Sequence, residues 1–192
     1  MSNVLIVKPH AAQILSTVAV LFVPTMSILA QGTNAQTYRL NFTDVDGNPL
    51  SIGDGRINVV VVTSKASVDK ARAVGDRIPD FCLANPAYRM ITVVTFETKH
   101  SAPIRAVCKS VMRHRLDSEA QLLKKRYDEH EITHDARKDV FAVADFDGAI
   151  ATQFGVKADA ALFHVFVFGK TGELLKQWSD VPGAEDLAAV LK

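Results

Sequence analysis

Three sets of residues in this 192-residue sequence carry side chains that could perform chemistry. Cys82 and Cys108 are the only cysteines, and a thiol pair can transfer electrons or form a disulfide. Residues 130–134 read His-Glu-Ile-Thr-His, the H-E-x-x-H spacing in which two imidazoles bind Zn²⁺ and a carboxylate activates water. Residues 64–67 combine two serine hydroxyls with a lysine cation, a composition that suits a small anion.

The zinc interpretation requires a helix, because only a helical H-E-x-x-H segment brings both imidazoles to one ion. The helical pattern before it ends near Tyr127, and the following residues lead directly into a strand without a third ligand. We therefore predict that His130 and His134 lie at a polar helix end and that the protein holds no metal or other cofactor. A zinc hydrolase using His130, Glu131 and His134 is the weakest functional alternative.

The two cysteines lie on or beside apolar stripes of two predicted helices, where a buried thiol behaves as a small hydrophobic group. We expect right-handed crossovers to place these helices on opposite faces of a sheet. A disulfide needs Cα atoms within about 7 Å, so the prediction is two buried free thiols. A disulfide, and a redox role for Cys82 or Cys108, remain as alternatives.

The first 35 residues differ in composition from the rest of the chain. Lys8 and His10 precede an uncharged apolar run at 11–30, and a small polar segment follows it. This order predicts a signal peptide at 1–35 that is cleaved after Ala35 or Ala30, and an exported protein that is periplasmic or secreted. The alternative is an uncleaved membrane anchor, since the run is long enough to span a bilayer.

The remaining residues, 36–192, suit one domain with its own core. The net charge of +1 at pH 7 gives no reason to expect nucleic acid, and membrane contact is expected only through an uncleaved N-terminal segment. The long helix predicted from Ser101 carries many basic residues, which we interpret as a solvated face. Docking of an acidic partner or of lipid headgroups on that helix is the minority interpretation.

Strands and helices alternate along this domain. A buried strand at 57–63 is followed by a helix that Ser64 or Ser67 can cap. We expect this helix to be kinked at Pro79, to bury Phe81 and to end at Asn85. Further strands are predicted at 90–96, 140–144, 162–168 and 173–178, and further helices at 101–127, 149–156 and 184–191. The long helix has an apolar stripe at Ile104, Val107, Cys108, Val111, Leu116, Ala120, Leu123 and Tyr127. This alternation predicts an α/β sheet that the last hairpin makes mixed.

The order of elements resembles the redoxin, AhpC-TSA and TlpA-like branch of the thioredoxin superfamily. The segments that carry the resemblance are FTDVDGNPLSI, FAVADFDGAIATQFGV and HVFVFGKTGELLKQW, which together with the element order cover nearly all of 36–192. The resemblance implies an α/β fold: a thioredoxin-like three-layer α/β/α sandwich with a central mixed β-sheet and an N-terminal strand pair.

Two features of that branch are missing here. Redox members carry C-x-x-C or a peroxidatic cysteine after the first long strand, where this chain has Ser64 and Ser67, and a cis-proline where it has Phe163. The segment TSKASVDKA, with no later proline, is most similar to the YtfJ-like periplasmic proteins. The resemblance thus implies a binding or accessory protein of the cell envelope without thiol-disulfide activity. The alternative is a redoxin-like thiol oxidoreductase or peroxidase that uses Cys82 or Cys108.

The ligand or partner predicted for such a protein is an unknown protein or a small anion. Ser64, Lys65 and Ser67 are the candidate ligand-binding residues, because free N–H groups at a helix start attract an anion. A serine nucleophile would need a histidine base beside it, and the sequence alone places none there.

Overall fold

A computed structural model describes residues 37–192 of the chain. The predicted signal peptide and both of its predicted cleavage sites, Ala30 and Ala35, lie outside the described residues. Within 37–192, no helix is both long enough and apolar enough to cross a membrane.

The described chain contains seven strands, four α-helices and three short 3-10 turns. The strands are β1 (Asn41–Thr43), β2 (Pro49–Ser51), β3 (Ile57–Ser64), β4 (Tyr88–Thr95), β5 (Phe141–Asp145), β6 (Phe163–Phe168) and β7 (Leu174–Trp178). The helices are α1 (Val68–Gly75), α2 (Ala102–Glu129), α3 (Ala149–Gln153) and α4 (Ala184–Leu191). The 3-10 turns are Lys65–Ser67, Asp80–Cys82 and Ala136–Asp139.

Five of the strands form one mixed sheet in the order β5-β4-β3-β6-β7, and β1 and β2 form a separate antiparallel pair. Strands β3, β4 and β5 run parallel, whereas β6 and β7 pair antiparallel. The central strand β3 is buried along almost its whole length, as a run of β-branched residues covered on both faces should be. The predicted strands and the mixed sheet are therefore confirmed.

Helices cover both faces of this sheet, which confirms the three-layer α/β/α arrangement. Side chains such as Val60, Val93 and Phe166 pack on one face against α3 and the β1-β2 pair. On the other face, Val59 and Val165 belong to the cluster of α1 and α4, with Leu187 and Leu191. Helix α2 covers the β4-β5 side of that same face through Met112 and Leu116.

The prediction that the first two helices lie on opposite faces is wrong. Strands β3, β4 and β5 follow one another in a single direction across the sheet. Two right-handed crossovers that step the same way place both helices on the same side. The contacts agree, because Arg72 of α1 pairs with Glu119 of α2, and Arg126 of α2 donates to the carbonyl oxygen of Ile78 at 2.9 Å.

Helix α1 is shorter than predicted, and Pro79 does not kink it. The helix ends at Gly75, which favours helical conformation less than other residues do, and the residue before a proline is also disfavoured in a helix. Pro79 instead has an extended conformation at the start of the 3-10 turn Asp80–Cys82. Phe81 in this turn is 44% exposed, so it is not the buried residue that the helical spacing predicted.

Helix α2 buries only the second part of its predicted apolar stripe. Leu116, Ala120 and Tyr127 are buried, whereas Ile104, Val107 and Val111 are 50%, 63% and 57% exposed. The core beneath α2 consists of Val45, Val94, Met112, Leu116 and Ala142, so no core layer lies under the first turns of the helix. The sequence-based prediction of one continuous buried stripe is therefore wrong for its first half.

Candidate functional site

The carboxyl ends of β3, β4 and β5 meet along one edge of the sheet, which we call the carboxyl edge. Ser64, Thr95 and Asp145 are register partners there, at the last position of each strand. Strand β6 runs the other way, so its first residue, Phe163, reaches the same edge and pairs with Thr63. In open α/β sheets ligands bind outside this edge, which makes it the first place to look for a site.

Ser64 connects two segments of the carboxyl edge through its side chain. Its hydroxyl accepts the N–H of Ser67 at 3.2 Å, as a helix cap does, and donates to the carbonyl oxygen of Ala160 at 2.8 Å. Ser64 is 1% exposed, so its hydroxyl is not available to a ligand. The predicted cap is confirmed. Lys65 is exposed and Ser67 half-buried, and their role in binding an anion stays a prediction.

Phe163 fills the position that the resemblance assigns to a cis-proline. Phe163 is 3% exposed and packs in the cluster of Val165 and Leu187, beneath the last helix. The ammonium group of Lys70 lies 5.3 Å from the centre of the Phe163 ring. Every peptide bond within residues 37–192 is trans. A packed aromatic ring and a buried serine therefore form this part of the edge.

Sequence reasoning missed a histidine near the turn. Val62, two residues before Ser64 on β3, pairs with His164, which puts His164 on the same sheet face as Ser64. The His164 Nδ1 atom is buried and has no hydrogen-bond partner. The Ser64 hydroxyl donates to Ala160 and not to this imidazole, so the two side chains do not form a nucleophile-base pair. Side chains alternate between the two sheet faces along HVFVF. With the pairing of β3 and β6 known, this alternation could have indicated that His164 and Ser64 share a face.

Asp145 was also missed as a residue that organises the carboxyl edge. Its carboxylate accepts the N–H groups of Ile150 at 3.3 Å and Ala151 at 3.0 Å, at the start of α3. It also accepts the hydroxyl of Thr95 at 3.3 Å. Both oxygens are used and the residue is 2% exposed, so Asp145 holds α3 and β4 in place and offers nothing to a substrate.

The two cysteines are free thiols, and neither lies in the turn after β3. Cys82 is buried, and desolvation raises the pKa of its thiol to about 11. Cys108 is half-buried, contrary to the prediction of two buried thiols. The N–H of Ala84 donates to the Tyr127 hydroxyl at 3.1 Å, which places the Cys82 segment near the far end of α2. Roughly 28 Å of helix lies between Cys108 and Tyr127, so the length of α2, rather than an intervening sheet, keeps the two thiols apart.

We expect a maleimide reagent to modify Cys108 in the native protein and Cys82 only after unfolding. A thiol needs both access and a thiolate fraction to react, and Cys82 lacks both. Mass spectrometry of the folded protein should show one adduct, and Cys108→Ser should remove it. Fast native modification of Cys82 would contradict the buried position of this thiol.

The H-E-x-x-H segment does not lie on a helix. Helix α2 ends at Glu129, and Glu131 has a positive φ of 57°. His130 Nε2 lies 3.4 Å from Asp80, whereas His134 Nε2 lies 3.3 Å from Asp139, so the two imidazoles face different carboxylates. The predicted helix end is confirmed, and the zincin geometry is not formed. Residues 37–192 contain no cluster of three His, Cys, Asp or Glu side chains placed to hold a metal.

An open groove of about 810 Å³ lies between the second half of α2 and residues 131–137. Charged groups of both signs line it and pair with one another, as Lys124 does with Asp128 at 2.6 Å and Arg137 with Asp117 at 2.8 Å. Paired charges have little attraction left for a charged ligand. The groove is therefore a weaker candidate site than the carboxyl edge.

Comparisons with known proteins agree with this architecture. A DsbF homologue from Corynebacterium diphtheriae superposes with a TM-score of 0.51 at 11% identity, over 84% of this chain and 87% of its own. A thioredoxin-like protein from Aeropyrum pernix gives 0.50 at 13% identity, over 80% and 88%. No protein-family model matches the chain, and no curated protein matches it. The chain has a thioredoxin-like fold, and at these identities the similarity extends to the fold alone.

Proposed function

We propose that this protein is an exported thioredoxin-like domain that acts by binding, as an accessory protein of the cell envelope without thiol-disulfide activity. One observation carries the proposal. The turn that bears the reactive thiol in redox members of this fold holds Ser64, and the Ser64 hydroxyl is buried and bonded to Ala160. A serine cannot transfer electrons, and this one is not available as a nucleophile either.

The positions of the cysteines support the same proposal. A thiol that attacks a disulfide or peroxide must be accessible and must ionise near neutral pH. Burial of Cys82 raises its thiol pKa to about 11, and Cys108 lies on α2, outside the turn after β3. A redoxin-like enzyme that uses Cys82 or Cys108 is therefore the less favoured function.

Export is supported by the sequence of residues 1–35. A basic start, an uncharged apolar run and a small-residue segment follow one another in the order of a secretory signal. The segment TSKASVDKA, together with the missing proline, supports a closer similarity to the YtfJ-like periplasmic proteins. Determining the N-terminus of the secreted protein tests both export and the proposed cleavage after Ala35 or Ala30.

We expect no insulin-reductase and no peroxidase turnover above a buffer blank. The turn after β3 has no sulfur atom, and the remaining thiols lack the position or the acidity for these reactions. The measurement is a standard turnover assay of the purified protein, with an active thioredoxin as positive control. Turnover that is abolished by Cys82→Ser or Cys108→Ser would instead establish the oxidoreductase alternative.

A further inference from the structure

The first three turns of α2 expose their apolar side chains and half-bury their charged ones. Ile104, Val107 and Val111 are 50%, 63% and 57% exposed, and we call these three residues the α2 apolar stripe. Arg105 and Lys109, on the other side of the helix, are half-buried. A helix that packs only on its own domain has the opposite distribution, with apolar residues inward and charges outward.

The spacing of the stripe makes it one continuous surface. Residues at i, i+3 and i+7 lie on the same side of a helix, so the three side chains form a row about 10 Å long. Met112 and Leu116, which point into the core, lie on the other side. Rows of this spacing are the anchors by which a helix engages an apolar surface of another protein.

Exposed apolar residues elsewhere on the described domain are isolated. Phe81, Leu122 and Leu175 are 44%, 42% and 43% exposed, each on a different element or a different part of α2. Single exposed apolar residues are common in soluble proteins, whereas a contiguous row indicates an interaction site.

The rim of the stripe is positively charged. Residues 98–116 contain five Lys and Arg residues and no Asp or Glu. Arg115 follows Val111 by four residues and so lies on the stripe side of the helix, where it reaches the exposed Asp69 only at 3.9 Å. Lys99, just before the helix, makes no ion pair within the described residues. A complementary occupant therefore has an apolar centre and carboxylates at its margins.

Other occupants fit this surface less well. In a twofold pair of two copies, stripe against stripe, the basic rim of one copy would face that of the other, which is repulsive. Helices that insert into a lipid interface use Trp, Phe or Leu on their apolar face, and the stripe has only β-branched aliphatic side chains on a short row. Charge and side-chain type together favour a segment of another protein.

We propose that the α2 apolar stripe docks an acidic amphipathic segment of a partner protein. The segment lays its apolar residues on Ile104, Val107 and Val111, and its carboxylates pair with Lys99 and Arg115. This inference rests on the proposed binding role, because it names the class of partner that such a role requires.

The test uses the full chain in the organism that makes it, with the photo-crosslinking residue p-benzoylphenylalanine in place of Val107. The matched control carries the same residue in place of Leu175, which is also apolar and exposed but lies on β7. Mass spectrometry identifies the crosslinked segment. We expect a protein adduct at position 107 and not at 175, in a segment with apolar residues at helical spacing and net negative charge. A lipid adduct, an adduct with a second copy of this chain, a segment without carboxylates, or no specific adduct would overturn the proposal.

A second measurement uses the identified segment as a synthetic peptide with the purified protein. Val111→Ser and Arg115→Glu should each weaken binding at least tenfold, and Leu175→Ser should leave it unchanged. Equal affinity in all variants would overturn the proposal. An insulin-reduction assay on the same samples distinguishes a failure of the proposed function from a failure of the docking surface. Turnover would refute the proposed function while the crosslink stands, and a missing crosslink in an inactive protein would refute the docking surface alone.

Discussion

Replacing Arg89 with methionine is expected to lower the free energy of unfolding by about 3 kcal/mol. The Arg89 side chain is 4% exposed, and its guanidinium donates to Asn58 at 3.0 Å, to Asp54 at 3.0 Å and to the carbonyl oxygen of Ser51. Burial lowers the pKa of Arg89, and the Asp54 carboxylate opposes that change by stabilising the charge. Methionine fills much of the same volume but leaves the buried acceptor of Asn58 and the partly buried carbonyl oxygen of Ser51 without this donor.

Chemical denaturation followed by circular dichroism measures this loss. The matched control is Arg72→Met, which removes an equally well-formed pair with Glu119. The Arg72 side chain is 50% exposed, so water replaces its partner and we expect a loss below about 1 kcal/mol. Equal losses in the two variants would mean that the buried network around Arg89 does not hold the β1-β2 pair to the sheet.

The sequence was sufficient for the sheet because its signals are local. A continuous β-branched run predicts a strand buried on both faces, and β3 is such a strand. The hairpin of β6 and β7 was recognisable from its turn residues in the same way. These elements, in this order, also carried the resemblance that predicted the layers.

The faces occupied by the helices could not be predicted in the same way. Whether α1 and α2 share a face depends on the order of β3, β4 and β5 in the sheet. That order is set by strand pairing between residues far apart in the chain, and no local pattern encodes it. Cys82 and Cys108 were predicted to lie apart because their helices were expected on opposite faces of the sheet. The helices share a face, and it is the length of α2 that keeps the two thiols apart.

Helical periodicity likewise shows which residues share a face but not whether the domain covers that face. The spacing of Ile104, Val107 and Val111 is as regular as that of Leu116, Ala120 and Tyr127, yet only the second set is buried. The difference arises because the core under α2 begins only at Met112. An exposed half-stripe of this kind is visible only in the structure, and it is the basis of the docking proposal.

The sequence predicted those features of the candidate site in which a residue contacts its close neighbours along the chain. Ser64 caps the following turn through Ser67, three residues away, which is a local signal. Its second bond, to Ala160, and the position of His164 beside it depend on the pairing of β3 with β6. That second bond decides the function of the residue, because it removes the hydroxyl from any ligand.

Asp145→Ala is expected to lower the free energy of unfolding by about 3 kcal/mol. The change removes the acceptor of two N–H groups at the start of α3 and of the Thr95 hydroxyl, and all three donors lie in buried or partly buried positions. Helix α3 has only five residues, so it cannot persist without its first-turn partners. Thermal and chemical denaturation should both report the loss.

The matched control is Asp147→Ala, in the same turn but exposed, which should change stability by less than about 0.5 kcal/mol. Hydrogen exchange should show the Asp145→Ala loss first in α3 and in the aromatic layer beneath it, where Phe154 stacks on Phe166 with ring centres 5.0 Å apart. Exchange that stays slow in α3, or an equal loss in Asp147→Ala, would contradict the role of Asp145. Because Asp145 joins α3 to the last residue of β4, its removal should also loosen the carboxyl edge, where the Ser64 hydroxyl donates to the carbonyl oxygen of Ala160.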